Sequence, residues 1–362
     1  MTTRSTLRVS CTAAVQRGPV GSKPLPPRRT SMLLVSRRAT RFNRISFPVA
    51  AAVSNDGPET VVKPADQGKT KTGSALSLAC PICHTTEFPL PTTGDGMKPR
   101  LSCQRCARTF SSIDNDLLDL TLTSGIEYKS YQKNLWAGTT TFQSPLVSFI
   151  YERGWRQGFA WAGFPGVDKE FDMAMKYLAP AFGEPLLDMS CGSGLFTRKF
   201  AKSGAFPSVI AADFSVNMLR QTRTFVQEDK SIDPDLVRLV RADVGRLPFA
   251  SGSLPAIHAG AAIHCWPDPQ QAMAEISRVL KPGGVFVAST FLNFYAPLGQ
   301  IVGDDMLRPL KQIEPFTGGN EAAYKFWEED ELRDLCMAVG LTDFRRIREQ
   351  RFIMYAVTKP QL

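Results

Sequence analysis

The sequence predicts an α/β fold in which a doubly wound, mostly parallel sheet is closed by an antiparallel C-terminal hairpin. From Pro185 onward, short apolar runs alternate with amphipathic helical segments, which is the pattern of parallel strands joined by right-handed crossovers. A glycine-bearing turn joins the first run to its helix. The last two β-like runs, 343–348 and 351–357, lie too close together for a crossover and must pair as a hairpin.

The stretch 186–194, LLDMSCGSG, organises this region. Its apolar start predicts a buried strand that ends near Asp188, and the next residues, LFTRKFAKSG, have a helical pattern. Gly192 and Gly194 therefore lie on a strand-to-helix turn. Glycine there lets a ligand approach the backbone, and the N–H groups at the helix start favour an anionic ligand group.

The remaining elements follow in order along the chain. The helix after the second strand begins at the N-cap Ser215, and a later helix opens at Asp268 and Pro269. Pro255 cannot donate to a ladder, so we expect the fourth strand to begin after it. The predicted strands are 186–189, 209–213, 237–243, 256–262 and 285–290, and a helix is predicted at 328–339.

Three acids, Asp188, Asp213 and Asp243, mark the ends of the first three strands. In a doubly wound sheet these ends open on one crevice, which is where ligands bind. A dinucleotide site is the obvious alternative, because residues 192–197 nearly match its GxGxxG fingerprint. Thr197 replaces the third glycine, and a terminal hairpin is unusual for that fold.

The stretch 186–194 resembles motif I of the class I S-adenosylmethionine (SAM) methyltransferases, an acid followed by GxGxG. Ser190 stands where that pattern has its first glycine, which is tolerable if the backbone there is extended. Residues 261–269 (AAIHCWPDP) and 280–284 (LKPGG) are similar to later motifs of the quinone-biosynthesis branch. The resemblance spans about residues 180–362 and implies a seven-stranded, Rossmann-like domain that binds SAM.

The same resemblance implies a role for each cofactor residue. Asp188 would support the glycine loop and the methionine amino group, and Asp213 would accept both ribose hydroxyls. Asp243 would accept from the adenine amino group. The adenine ring would be flanked by Val244 and Met218.

Methyl transfer from a sulfonium is mostly a matter of alignment, so a base is needed only for a protonated acceptor. His264 follows the fourth strand and is the candidate base among three histidines. An imidazole that packs or orients the substrate is the alternative.

Four cysteines form two CxxC pairs, Cys80 with Cys83 and Cys103 with Cys106, separated by 19 residues. This spacing is typical of a zinc ribbon with four thiolates, which leaves no open coordination position and so predicts a structural metal. A pair of redox dithiols is the alternative.

The chain has 43 Lys and Arg and 34 Asp and Glu, but the excess of basic residues is confined to its first 55 residues, which contain no acid. The rest is nearly neutral, which argues against a nucleic-acid-binding face. Residues 1–52 are rich in Ser, Thr, Arg and Pro, as in a plastid transit peptide, and 53–75 read as a linker. No run is long enough to span a membrane.

The remaining divisions are a zinc-ribbon-like module at 76–122, an aromatic-rich helical cap at 123–180, and the SAM-binding domain at 181–362 with an insert at 291–326. Residues 128–182 contain thirteen Phe, Trp and Tyr. Their rings pack helices onto the main domain, cover a hydrophobic substrate, or do both. The Pro-Pro motif of nucleic-acid amine methyltransferases is absent after the fourth strand.

These observations predict a methyltransferase of the chloroplast stroma or plastoglobule surface that acts on a small lipophilic acceptor such as a quinone, phenol or lipid. The zinc ribbon leaves a ribosomal-RNA guanine methyltransferase as the first alternative. An inactive SAM-binding scaffold on plastid lipid particles is the second.

Overall fold

The computed structural model describes residues 77–88, 100–114, 117–125, 158–160, 163–293, 295–307 and 325–361. All of them belong to one compact unit, Lys69–Leu362. The expected transit peptide and linker lie outside the described residues, as do most of the expected cap and the second half of the insert. The proposed division of the chain therefore remains a prediction at those boundaries.

A mixed sheet of eight strands forms the centre of the unit. Its spatial order is β3-β6-β5-β4-β7-β8-β10-β9, and a separate two-stranded sheet is formed by β1 and β2. The strands are β1 (Arg100–Ser102), β2 (Thr109–Ser111), β3 (Leu117–Asp119), β4 (Leu186–Met189), β5 (Val209–Asp213), β6 (Val237–Arg241), β7 (Leu254–Ala259), β8 (Leu280–Phe291), β9 (Thr342–Glu349) and β10 (Phe352–Thr358).

The strand pairing confirms the predicted fold class. Strands β4 to β8 pair in parallel, and β10 pairs antiparallel with both β8 and β9. Strand β5, which follows β4 in the chain, lies on one side of β4 in the sheet, and β7 lies on its other side. The order of the strands therefore reverses at β4. A crevice at such a switch point is the ligand site expected of a doubly wound sheet.

Six α-helices are described, and they begin where the sequence provides caps. The Ser215 hydroxyl accepts from the Met218 N–H, and the Asp268 carboxylate accepts from the Gln271 N–H. The helices are α1 (Val167–Leu178), α2 (Leu195–Ser203), α3 (Val216–Glu228), α4 (Pro269–Val279), α5 (Ala296–Val302) and α6 (Glu329–Ala338).

Three features of the sheet differ from the sequence expectation. An eighth strand, β3, from the cysteine-bearing region, pairs in parallel with β6 at the sheet edge. Strand β7 begins at Leu254 and contains Pro255, which is accommodated by a register shift between Leu254 and Ala256. Strand β8 begins at Leu280, so the Lys-Pro-Gly-Gly run belongs to the strand.

The edge strand β3 is joined to the sheet by a buried ion pair. Arg241 of β6 donates from Nη1 to Asp119 Oδ2 at 2.9 Å, and its Nε donates to the Phe214 carbonyl. Both side chains are almost fully buried. Because a buried charge is costly without its partner, the pair fixes which segment covers this edge.

The cysteine-bearing region also packs directly on the large sheet domain. Leu78 forms a β-bridge with Phe249, the Ala79 N–H donates to the Pro248 carbonyl, and the Ala250 N–H donates to the Ser77 carbonyl. Buried side chains of the two regions form one continuous hydrophobic cluster. No helix in the described part of the chain is long and apolar enough to cross a membrane.

Candidate active site and metal centre

The glycine loop between β4 and α2 is shaped by close contacts with α3. Gly192 and Gly194 have φ angles of 58° and 79°, in the left-handed region that favours glycine. A Cβ on Gly194 would lie 2.4 Å from Thr222 Cγ2, well inside van der Waals contact. The Thr222 hydroxyl donates to the Gly192 carbonyl at 3.0 Å, so the same side chain both limits and holds the loop.

Ser190 corrects the expectation of an extended backbone at this position. Its φ is 57°, the left-handed conformation that a glycine would adopt without strain. The Trp266 indole Nε1 donates to Ser190 Oγ at 3.0 Å. This hydrogen bond ties the loop to the segment after β7 and gives the serine a role that glycine lacks.

Asp213 at the end of β5 faces the glycine loop and is half-buried. Its Oδ2 accepts from the Gly192 N–H at 2.9 Å, and its Oδ1 accepts from the Ser215 N–H at 2.8 Å. Burial raises the pKa of Asp213 to about 6, and the two backbone donors oppose that rise. The carboxylate is therefore ionised at neutral pH and held at the mouth of the crevice.

Asp188 lies deeper than Asp213 and is almost fully buried. Its Oδ2 accepts from the Thr197 hydroxyl at 2.5 Å, and its Oδ1 is 2.8 Å from His258 Nδ1. One partner is in the first turn of α2 and the other is in β7. Asp188 thus braces the strand and helix on both sides of the glycine loop.

Asp243 follows β6, and its Oδ1 accepts from the Gly245 N–H at 2.9 Å. It is half-buried, whereas the neighbouring Val244 is 7% exposed and Met218 is 1% exposed. Two carboxylates, Asp213 and Asp243, thus stand at the ends of adjacent strands beside apolar side chains. These two hydrogen-bond acceptors fit a ligand that offers ribose hydroxyls and a ring amino group as donors, as SAM does.

Comparisons with known proteins support this reading. A family model described as "Methyltransferase domain" matches residues 187–288. A protein of Arabidopsis thaliana named as an uncharacterized chloroplastic methyltransferase is 41% identical over 351 residues, covering 94% of this chain and 96% of the relative. A second Arabidopsis thaliana protein with that description is 45% identical over 297 residues, covering 80% of each. A demethylmenaquinone methyltransferase of Clavibacter sepedonicus is 34% identical over 156 residues, covering 42% of this chain and 60% of the relative.

The chain belongs to the methyltransferase family. The predicted family is therefore confirmed, and the strand order with its terminal hairpin is that of the class I SAM-dependent fold. Both Arabidopsis relatives are named chloroplastic, which supports the chloroplast as the compartment of this methyltransferase.

The methyltransferase brings its four predicted metal ligands together. The sulfur atoms of Cys80, Cys83, Cys103 and Cys106 all lie within 4.8 Å of one another. Cys80 Sγ is 3.7 Å from Cys106 Sγ, and Cys83 Sγ is 3.5 Å from Cys103 Sγ. Tetrahedral zinc with Zn–S bonds of about 2.3 Å separates sulfurs by about 3.8 Å, so the cluster fits zinc.

The two CxxC turns, at residues 80–83 and 103–106, have the same backbone conformation. This similarity argues for one shared metal rather than two independent dithiols. The His84 N–H donates to the Cys80 carbonyl at 2.8 Å, and the Ala107 N–H donates to the Cys103 carbonyl at 3.0 Å. His84 and Ala107 both have φ of 56°. This turn directs both sulfurs of a pair toward one point.

His264 lies in the short turn after β7 and is 3% exposed. Its Nδ1 is 3.2 Å from Thr290 Oγ1, and its ring packs edge-on against Phe291 at 4.8 Å. Burial lowers the pKa of His264 to about 3, so the imidazole is neutral across the physiological range. The role of His264 stays a prediction, but this environment favours hydrogen bonding over proton uptake.

Sequence reasoning missed three supporting side chains of the methyltransferase. These side chains are His258 in β7, Thr222 in α3 and Trp266 in the segment after β7. Each one contacts the glycine loop or its acid from a distant segment. A periodicity signal cannot report such pairs, because they depend on which strand neighbours which.

Proposed function

We propose that this methyltransferase transfers the methyl group of SAM to a small lipophilic acceptor, such as a quinone, phenol or related lipid, in the plastid. The observation that carries the proposal is an aromatic cluster at the ends of β8 and β10. Phe291 lies 4.5 Å from Phe164 and 5.0 Å from Phe159, and Phe164 lies 4.7 Å from Phe352, as ring centroids. Such a wall suits an apolar ring or prenyl tail.

The position of this cluster supports the proposal. Phe291 ends β8, two strands from the β4 end that carries the glycine loop. The carboxyl ends of β4, β7 and β8 lie at the same end of the parallel sheet, so Phe291 lies at the end of the sheet that carries the glycine loop. The names of two relatives, demethylmenaquinone methyltransferase and sterol 24-C-methyltransferase, specify lipophilic acceptors.

Alignment is the main contribution of the chain to the reaction. When bound, SAM supplies a methyl group that is already activated by its sulfonium. Asp213 would hold the ribose hydroxyls, Asp243 the adenine amino group, and the N–H groups of the glycine loop the methionine carboxylate. The aromatic cluster would exclude water and fix the acceptor ring, so that the entropy of approach is lost before the chemical step.

We propose the chloroplast stroma or the surface of a plastoglobule as the location of the enzyme. Exposed apolar side chains cluster on and near α5, in the insert after β8: Leu298, Ile301, Val302 and Met306. We propose that the enzyme reaches a lipophilic acceptor from a lipid surface through this part of the insert.

Transfer of labelled methyl from SAM into total plastid extract tests the proposal. The extract is split into lipid, small polar and RNA fractions, and Asp213→Ala serves as the inactive control. Label in the lipid fraction that is absent with Asp213→Ala is the expected result. Label in RNA alone would replace it with the ribosomal-RNA alternative, and SAM binding without any transfer would favour the scaffold.

A further inference from the structure

We propose that Arg351 forms a binding site for an oxyanion on the acceptor ring, so that the substrate class is a phenolate or quinolate rather than a neutral hydrocarbon ring. This inference rests on the proposed function and names the polar group that its acceptor must present. It gives the β9–β10 turn a role in substrate binding that the sequence motifs do not predict.

Arg351 lies at the same sheet edge as the cofactor loop. It precedes Phe352, the first residue of β10, and Phe352 pairs with Phe291 at the end of β8. The Leu292 N–H donates to the Arg351 carbonyl at 2.6 Å. The turn is therefore attached to the strand end that carries the aromatic cluster.

Among the described residues, the guanidinium of Arg351 packs against an aromatic ring and forms no ion pair. Its Cζ lies 4.8 Å from the Phe326 ring centroid, and its Nε donates to the Leu292 carbonyl at 3.2 Å. The Phe326 ring is 6.4 Å from Phe291, whose ring contacts His264. A run of ring contacts thus connects Arg351 with the candidate catalytic histidine.

Arg348, three residues away, provides an internal contrast. Its Nη1 lies 2.7 Å from Asp304 Oδ2 and 3.3 Å from Glu329 Oε2, and these partners raise its pKa. Arg351 has no carboxylate within ion-pair distance among the described residues. Partial burial lowers the pKa of Arg351, and no acid opposes that shift.

A half-buried cation without an anion is costly, and an arriving oxyanion would offset that cost. Arginine offers several N–H donors in one plane, which suits an oxygen attached to an aromatic ring that stacks nearby. The neutral His264 adds a hydrogen-bonding group but no charge. Stabilising the deprotonated acceptor by Arg351 removes the need for a strong base in the site.

The test uses 4-nitrophenol as a phenolate probe, with S-adenosylhomocysteine present to fill the cofactor side. The visible absorbance of its phenolate reports the pKa of the bound probe. We expect the wild-type chain to lower that pKa by about one unit, because an opposite charge at close range typically does so. Arg351→Met should abolish the shift and weaken phenolate binding about tenfold, which is what one unit of pKa represents.

Two further variants make the test specific. Arg351→Lys keeps the charge and should retain part of the shift. Arg345→Met removes an exposed arginine of β9 that pairs with Asp343 at 3.0 Å, and it should leave the shift unchanged. The affinity for S-adenosylhomocysteine, measured on each variant, reports whether the fold is intact.

A shift that survives in Arg351→Met, or a wild-type chain that does not bind the probe, would overturn the proposal. The outcome is separable from that of the proposed function. A probe shift that depends on Arg351 supports the oxyanion site even if labelled methyl reaches no lipid, whereas lipid labelling that Arg351→Met leaves unchanged in both kcat and KM refutes it.

Discussion

The proposed cofactor side and the proposed acceptor side of the crevice are built in different ways. On the cofactor side, Asp213 and Asp243 each accept from a backbone N–H two residues further along, at Ser215 and Gly245. On the acceptor side, the Lys325 N–H donates to the His264 carbonyl, and Arg351 donates to the Leu292 carbonyl across 59 residues. The first side combines these local contacts with contacts between distant segments, such as the Trp266 bond to Ser190. The two contacts given for the second side both join segments far apart in sequence.

The two sides also differ in their electrostatics. Acidic side chains and backbone donors dominate the cofactor side, which suits a ligand with hydroxyl, amino and carboxylate groups. Among the described residues, the proposed acceptor side includes phenylalanine rings, the neutral imidazole of His264 and the guanidinium of Arg351. We infer from this difference that a preformed polar frame binds the cofactor, whereas a few polar groups in an apolar wall set the choice of acceptor.

The strongest test of the preformed frame is Gly194→Ala. The added Cβ would meet Thr222 and would also hold a left-handed φ of 79°. The conformational cost is about 1–2 kcal/mol and the overpacking cost about 1–3 kcal/mol. We expect a lower melting temperature and loss of SAM binding by calorimetry.

Gly204→Ala is the matched control for this variant. Gly204 has a similar φ of 68°, and nothing lies within 4 Å of its added Cβ. Gly204→Ala should lower the stability by the conformational cost alone and should bind SAM with wild-type affinity. Equal effects of the two substitutions would mean that contact with Thr222 does not shape the loop.

Metal removal tests whether the cysteine-bearing region stabilises the proposed SAM site. The module is attached through Ala79 and Leu78 to the segment 248–250, which follows Asp243 closely in sequence. Chelation or Cys80→Ser should therefore lower stability, by an amount on the order of several kcal/mol, and weaken SAM binding severalfold.

Metal content and SAM affinity are measured on the same samples. Cys336→Ser is the matched control, because Cys336 is equally buried but far from the cluster in sequence. It should keep about one zinc per chain. Full SAM affinity in metal-free protein would show that the two regions fold independently.

The same contrast explains how much the sequence could predict. The succession of strands and helices along the chain, the C-terminal hairpin, the glycine turn after β4 and the clustering of the four thiolates follow from spacing and residue type. The pairing of β3 with β6, the Trp266 bond to Ser190 and the position of Arg351 do not. They are contacts between segments far apart in sequence, and no periodicity or motif encodes which segments meet.

The pH dependence of SAM binding is a finer test of Asp213. Its pKa of about 6 means that the carboxylate becomes protonated as the pH falls below that value and then no longer accepts two ribose hydroxyls. SAM affinity should fall up to about tenfold per pH unit below 6, and Asp213→Asn should bind weakly at every pH.

The stability of the ligand-free protein should change in the opposite direction. The pKa of Asp213 is raised above its unfolded value of about 4, so the folded state takes up the proton more tightly. The contribution of Asp213 to stability is therefore present below pH 4 and is lost as the pH rises through 6. Thermal melts of wild type and Asp213→Asn across this range check the sign, and parallel curves would contradict it.

Substitution of His264 is expected to have the smallest effect on kcat. The size of that effect shows whether the side chain acts as a base or orients the acceptor. A base whose pKa is about 3 holds no proton at neutral pH and accepts one only weakly, whereas a neutral imidazole bonded to Thr290 orients an acceptor well. His264→Gln keeps an amide that reaches Thr290 and should lower kcat by less than about tenfold, since general-base catalysis typically contributes 10²–10⁴-fold. The pH profile of kcat should keep its shape in the variant. If kcat fell about 10²-fold or more and one limb of the pH profile disappeared, His264 would have to be assigned as a general base. Catalysis on the proposed acceptor side would then depend on proton transfer as well as on packing and charge.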